Sequence, residues 1–338
     1  MKKITLIVLF GAFLFAYNGA AQQDAMFTKY MFNSLAYNPA FAGSPGYLSV
    51  RALYRDQWWG IEGSPHTQTV TAHMPFGEKV GLGISLGNDK IGATGSTSAY
   101  ANYAYHIPFG KGKISLGLQG GVTNWRADWS VLKFKDPRVL DVSFNDLTPS
   151  RWLPNFGAGL FYYAQKYYVG FSVPHLINYD LRKFDQGEPT LTTASMARHY
   201  YLTAGATFDI FGPAVMFKPS LMIKSVGLFS EFSASPNNLN KVGAPIEFDI
   251  DASFLFYETL WVGASFRSAF QAESFGGKSS FDSADIWMSY YLNNGLRIGA
   301  AYDYTLTELQ SFANGSFEVM LGYDFNFSSR RINTPRYF

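Results

Sequence analysis

The chain has 338 residues, with 31 Phe, 22 Tyr, 7 Trp, 32 Gly and no Cys. Without thiols, disulfides, thiolate metal sites and cysteine nucleophiles are excluded, and a formal net charge of +2 argues against nucleic acid held by a basic patch. Aromatic-rich and glycine-rich composition with mean hydropathy near zero suits an all-β chain, either water-soluble or a membrane barrel whose apolar and polar faces average out.

The N-terminus reads Met1-Lys2-Lys3, then apolar from Ile4 to Tyr17, then small at Gly19, Ala20 and Ala21. That order is the pattern of a cleavable secretory signal peptide over residues 1–21. The alternative is a membrane anchor, but the apolar run of 14 residues falls short of the ~20 that a spanning helix needs. Residues 22–46 follow, aromatic-rich but poorly alternating, with Asn38-Pro39 as a turn signal. A segment this apolar is expected to pack inside a barrel lumen or against a periplasmic partner, or to form a short extra strand or helix.

From residue 47 onward the pattern is period-two alternation between turn signals. Fourteen strands are expected, at 47–55, 66–74, 79–88, 96–107, 112–126, 155–164, 166–173, 198–210, 213–224, 245–257, 259–268, 281–292, 295–304 and 315–327. In the last, Phe317, Val319, Leu321, Tyr323, Phe325 and Phe327 share one face, against Ser316, Glu318, Met320, Gly322, Asp324 and Asn326. Most strands have the ~9–12 residues of a tilted membrane-crossing strand. The connections alternate between tight turns and longer segments such as 56–65, 89–95 and 127–154. Short turns at one end and long loops at the other are the asymmetry of outer-membrane barrels.

The expected fold is therefore all-β, a closed antiparallel transmembrane β-barrel of about fourteen strands over 47–327, with a tail at 328–338. Aromatic residues near strand ends, including Trp125, Tyr162, Tyr163, Tyr167, Tyr168, Tyr257, Trp261 and Tyr290, read as girdles at the membrane interfaces, with core packing as the alternative. Pro219 interrupts a strand on its lipid face, which predicts a bulge or a shifted boundary there.

Chemistry is sparse. No nucleophile elbow, phosphate loop or H-E-x-x-H motif occurs, so no enzyme, cofactor or metal is expected. His66, His73, His106, His175 and His199 lack ligand spacing, and His66 and His73 fall on opposite faces of one strand. Asp136, Asp141 and Asp146 share a long loop, which reads as solvated rather than calcium-binding. The expected inner face carries Arg51, Arg55, Lys218, Lys224, Arg267 and Arg297, and also Glu247, Asp249, Asp251, Asp285, Asp303, Glu318 and Asp324. Both signs are present, which suits a lumen closed by ion pairs better than a selective conduit. Arg at lipid-facing Val319 or Leu321 is expected to impair assembly, and Asn at Glu318 or Asp324 to be tolerated better.

Three stretches carry a resemblance. They are Tyr30 and Asn33 with Asn38-Pro39-Ala40-Phe41-Ala42-Gly43, then Arg55-Asp56-Gln57-Trp58, then Gly63-Ser64-Pro65-His66-Thr67. Together with the ending Pro335-Arg336-Tyr337-Phe338, the mature chain resembles the PorP/SprF family of the type IX secretion system of Bacteroidetes. The resemblance implies an outer-membrane component of protein export and, in some members, of gliding motility. The implied partners are secreted cargo with a type B C-terminal sorting domain, and periplasmic and lipoprotein components of the system. The motif residues either shape the turn and plug or touch a partner; Asn38, Pro39 and Gly43 are turn formers. A passive porin or a transporter of hydrophobic solutes is the competing class.

Overall fold

The computed structural model describes residues 29–131, 148–180, 195–196, 198–212, 214–226, 246–270 and 280–325. The expected signal peptide, the loop with Asp136, Asp141 and Asp146, and the ending Arg336-Tyr337-Phe338 lie outside these residues.

The alternating segments form fourteen long antiparallel strands among the described residues. They are β1 (Leu48–Asp56), β2 (His66–Phe76), β3 (Val80–Ile91), β4 (Thr94–Phe109), β5 (Gly112–Ala127), β6 (Ser150–Ala164) and β7 (Tyr167–Val173). The second half comprises β8 (His199–Ala206), β9 (Val215–Val226), β10 (Ile246–Phe256), β11 (Leu260–Phe270), β12 (Ser280–Tyr291), β13 (Leu296–Thr305) and β14 (Ser316–Phe325). Each pairs with its neighbours in chain order, and β1 pairs with β14 from Leu48↔Phe325 to Asp56↔Phe317, so the sheet closes on itself. Closure leaves no unpaired edge, the condition a sheet must meet in lipid.

The polarity is inside out. Outward residues such as Val70, Leu82, Ile84, Leu118, Ile250, Val319 and Leu321 are exposed. Their inward neighbours Thr69, Thr71, Ser115, Asp251, Ser253 and Glu318 are buried. Every charge expected on the inner face is inward, and His66 and His73 do face opposite ways. Among the described residues no helix is long and apolar enough to cross a membrane.

Three expectations change. The segment 89–95, expected as a long loop, is mostly strand: β3 and β4 stay paired to Ile91↔Thr94, and only Gly92-Ala93 turns the chain. Polar cross-strand contacts, such as Thr97 Oγ1 donating to Asn88 Oδ1 at 3.0 Å, extend this hairpin where hydrophobic alternation has stopped. Pro219 causes no register shift: β9 pairs with β10 straight through Pro219↔Ala252. The ladder instead lapses on the other side, after Gly205↔Ser220, and resumes in the same register at Phe208↔Phe217. A proline cannot donate, so the neighbour facing it loses its bond while the register holds. Finally, the strand-end aromatics divide by parity. Tyr167, Tyr257 and Tyr290 point out, whereas Trp125, Tyr163, Tyr168 and Trp261 are buried in the lumen as core.

Candidate functional site

The lumen is filled by the chain's own N-terminal segment. Residues 29–47 make three short 3-10 turns, Tyr30–Phe32, Ser34–Ala36 and Pro39–Phe41, before entering β1. Asn38 starts the third turn: its Oδ1 accepts from Ala40 N at 2.9 Å, and Pro39 follows at the first helical position. The Asn38 Nδ2 then donates to Leu160 O at 3.1 Å, tying the turn to β6.

A buried segment must satisfy its backbone polar groups, and wall side chains do so here. Ser172 Oγ donates to Tyr37 O at 2.8 Å, Ser115 Oγ to Ala40 O at 2.6 Å, and His106 Nε2 to Ala42 O at 3.0 Å. Gly43 N donates to His73 Nδ1 at 3.2 Å. Asn33 joins the plug to β2, donating to Thr69 Oγ1 at 3.3 Å and accepting from Thr71 Oγ1 at 2.7 Å. Burial raises the Tyr30 and Tyr37 phenols well above their ordinary pKa, so both stay neutral.

The close approach of plug to wall depends on glycine. A Cβ on Gly117 of β5 would lie 2.1 Å from Ala40 N. One on Gly159 of β6 would lie 2.0 Å from Asn38 Oδ1, and one on Gly81 of β3 2.0 Å from Ala42 O. No side chain fits those gaps. Gly43, at φ +73°, is itself confined to a conformation that favours glycine.

The other end of the plug is held by charge. Lys29 is 2 % exposed; its ammonium meets Asp285 and Ser265 and lies 3.7 Å from Asp251. Its backbone N donates to Glu318 Oε1 at 3.2 Å. Behind it the wall is cross-linked by ion pairs. Arg55 reaches Asp303 at 3.4 Å and Glu318 at 3.7 Å, and Arg267 grips Asp249 at 2.7 and 3.1 Å. Arg51 meets Asp324 at 2.7 Å and Lys224 meets Glu247 at 3.3 Å. Arg297 lies over the Phe32, Trp261 and Tyr291 rings, and Lys218 sits 3.7 Å from the centre of Trp261. Of the wall charges expected from sequence, six are cationic and seven anionic. Lys29 is the seventh cation.

The motif residues thus fall in two places. Tyr30, Asn33, Asn38, Pro39, Ala40 and Gly43 build the plug. Arg55, Gln57, Trp58 and Pro65 lie at the long-loop end of β1 and β2. There Arg55 is buried among its acids, Gln57 N donates to Pro65 O at 2.9 Å, and Trp58 N donates to Ser316 Oγ at 3.1 Å. Sequence reasoning missed Lys29, the cradle glycines, and Ser115 and Ser172. The available signal was small residues recurring on the inward face of β3, β5 and β6.

On the long-loop side of the plug a cavity of about 170 Å³ remains, floored by Ala36 and Tyr37 and walled by β2 to β5. Pro174 and His175 fold inward to close one side, with Gln119 Nε2 donating to Pro174 O at 2.8 Å.

Among solved structures the chain is similar to the Ralstonia pickettii toluene transporter TbuX, at 12 % identity and a TM-score of 0.50, covering 92 % of this chain and 96 % of that one. It is also similar to a Pseudomonas aeruginosa FadL homologue, at 12 % identity, 87 % and 96 % coverage and a TM-score of 0.45. The Acinetobacter baumannii outer membrane protein Omp33 matches at 9 % identity, 84 % and 100 % coverage and a TM-score of 0.44. At such identities the likeness concerns the barrel fold alone. No curated protein matches the chain in sequence. The pattern of the type IX secretion system membrane protein PorP/SprF matches residues 19–323. That span takes in plug and barrel together, and the chain belongs to the PorP/SprF family of type IX secretion membrane proteins.

Proposed function

We propose that this outer-membrane barrel is a non-enzymatic station of type IX secretion that receives or anchors secreted proteins bearing a type B C-terminal sorting domain at the cell surface. The observation that supports this reading best is the filled lumen. A barrel whose interior is occupied by its own chain and laced with ion pairs suits a docking platform better than a conduit. Family membership supplies the system in which such a platform works. Cargo, periplasmic proteins and lipoproteins of the export machinery are the partners, and surface adhesins of gliding cells are one cargo class. The signal peptide of residues 1–21 delivers the chain to the periplasm for insertion into outer-membrane lipid.

Purification of the native protein from outer membranes, with mass spectrometry of its companions, tests the reading. Type IX components and a sorting-domain protein are expected in the complex. Solitary protein that gives steady, solute-selective conductance in planar bilayers favours the competing transporter class instead.

A further inference from the structure

The cavity above the plug has a character that the secretion role does not explain. No Lys or Arg lines it, and its one carboxylate, Asp89, accepts from Thr67 Oγ1. An anionic ligand such as a phosphate or a peptide carboxylate finds no countercharge there. Hydroxyl and amide groups line the space, Thr69 and Thr71 from β2, Ser96 and Ser98 from β4, and the Gln119 amide from β5. Between these groups stand flat rings. Trp125 and Tyr100 belong to the lining, and His175 packs on Tyr100 with ring centres 5.4 Å apart. The Trp125 indole N–H is buried and has no acceptor among the described residues.

These features point to one ligand chemistry. An apolar molecule would strand the hydroxyls. An extended peptide is recognised through an open sheet edge, and the backbone of β2 to β5 is already paired on both sides. A neutral pyranose matches: its C–H faces pack on aromatic rings and its hydroxyls exchange hydrogen bonds with Ser, Thr, Gln and Asp. A cavity of ~150 Å³ accommodates one benzene ring, so this partly open one of about 170 Å³ takes one face of a pyranose and leaves the rest of the sugar outside. We propose that the cavity is a binding site for one neutral pyranose residue, either a free sugar or the end of a glycan, entering from the long-loop side.

The full-length protein, purified in a detergent without a sugar headgroup, is titrated with glucose, galactose, mannose and N-acetylglucosamine. Their methyl glycosides stand in for glycan ends, and trialanine for peptides. Saturation-transfer NMR and tryptophan fluorescence report binding. At least one pyranose is expected to bind, with trialanine silent. Binding of the free sugar but not its methyl glycoside assigns a free-sugar site, and binding of both assigns a glycan end. Trp125→Leu and Asp89→Ala should each weaken binding by about tenfold or more, whereas outward-facing Trp152→Leu should not. Heat-modifiable migration on gels confirms that each variant is folded. Silence of every sugar on the native protein overturns the proposal. So does trialanine binding in their place, or equal sugar affinity in folded Trp125→Leu and Asp89→Ala proteins. Capture of secretion partners is a separate readout, so either conclusion fails without the other.

Discussion

The two halves of the barrel wall hold the same plug by different physics. From β9 through β14 and on to β1 the lumen face is charged, and it grips Lys29 with Asp251, Asp285 and Glu318. On β3, β5 and β6 the wall beneath the Asn38–Gly43 turn is glycine, and it lets the turn come within contact of the strand backbone at Gly81, Gly117 and Gly159. The charged half depends on partners: a buried ion is tolerable only while its counterion is present. The glycine half depends on absence, because any Cβ collides. One wall is therefore sensitive to deletion and the other to addition.

The largest expected effect breaks the charged half. Lys29→Met leaves Asp251 and Asp285 buried without their plug cation, which costs about 3–5 kcal/mol. Urea or guanidinium unfolding in lipid vesicles measures it, and the triple variant with Asp251→Asn and Asp285→Asn should recover most of the loss. If the triple variant is no better than the single, charge does not hold this end. Next, Val319→Arg separates barrel from plug. A lipid-facing Arg costs about 2–4 kcal/mol near the midplane, so membrane yield should fall while the plug contacts are untouched. The neighbouring Glu318 is 0 % exposed and bonded to both Lys29 and Arg55. Its replacement by Asn therefore loses the tolerance expected from sequence, and equal yield for Val319→Arg and the native protein would refute the assigned facing.

A smaller effect breaks the glycine half. Gly117→Val should cost about 1–3 kcal/mol by overpacking, and should expel the Asn38–Gly43 turn rather than unfold the barrel. Protease sensitivity confined to the N-terminal segment is the expected sign; cleavage spread along the whole barrel would contradict it. The smallest effect lies outside both halves, in the tight turn after β10. Tyr257 and Glu258 adopt φ of +50° and +53°, which non-glycine residues rarely do. Tyr257→Asn with Glu258→Gly suits such a turn and should gain about 1 kcal/mol, leaving plug protection unchanged.

Much of the barrel was legible because lipid enforces a strict alternation. Val319 and Leu321 against Glu318 and Met320 announce both a strand and its facing. The inner charges were legible for the same reason. Their pairing was not, since Arg55 finds Asp303 and Glu318 only after the sheet has closed. Lys29 escaped notice because it stands in an unpatterned segment and its carboxylates lie more than two hundred residues away. Gly81, Gly117 and Gly159 escaped because glycine in a strand looks like weakness until the chain that approaches it is known. The β3–β4 hairpin outran its expected limit because its tip is held by polar contacts, to which hydrophobic periodicity is blind.

The claim beneath all of this is that residues 29–47 sit inside the lumen. The chain has no cysteine, so Asn33→Cys with Thr71→Cys places a unique thiol pair where Thr71 Oγ1 now meets Asn33 Oδ1 at 2.7 Å. Oxidation or a short thiol–thiol cross-linker, applied to intact outer membranes, should join plug to β2 in nearly every folded molecule. Failure to cross-link, with the thiol introduced by Asn33→Cys instead reacting freely with a membrane-impermeant maleimide, would show that the lumen is not filled by this segment.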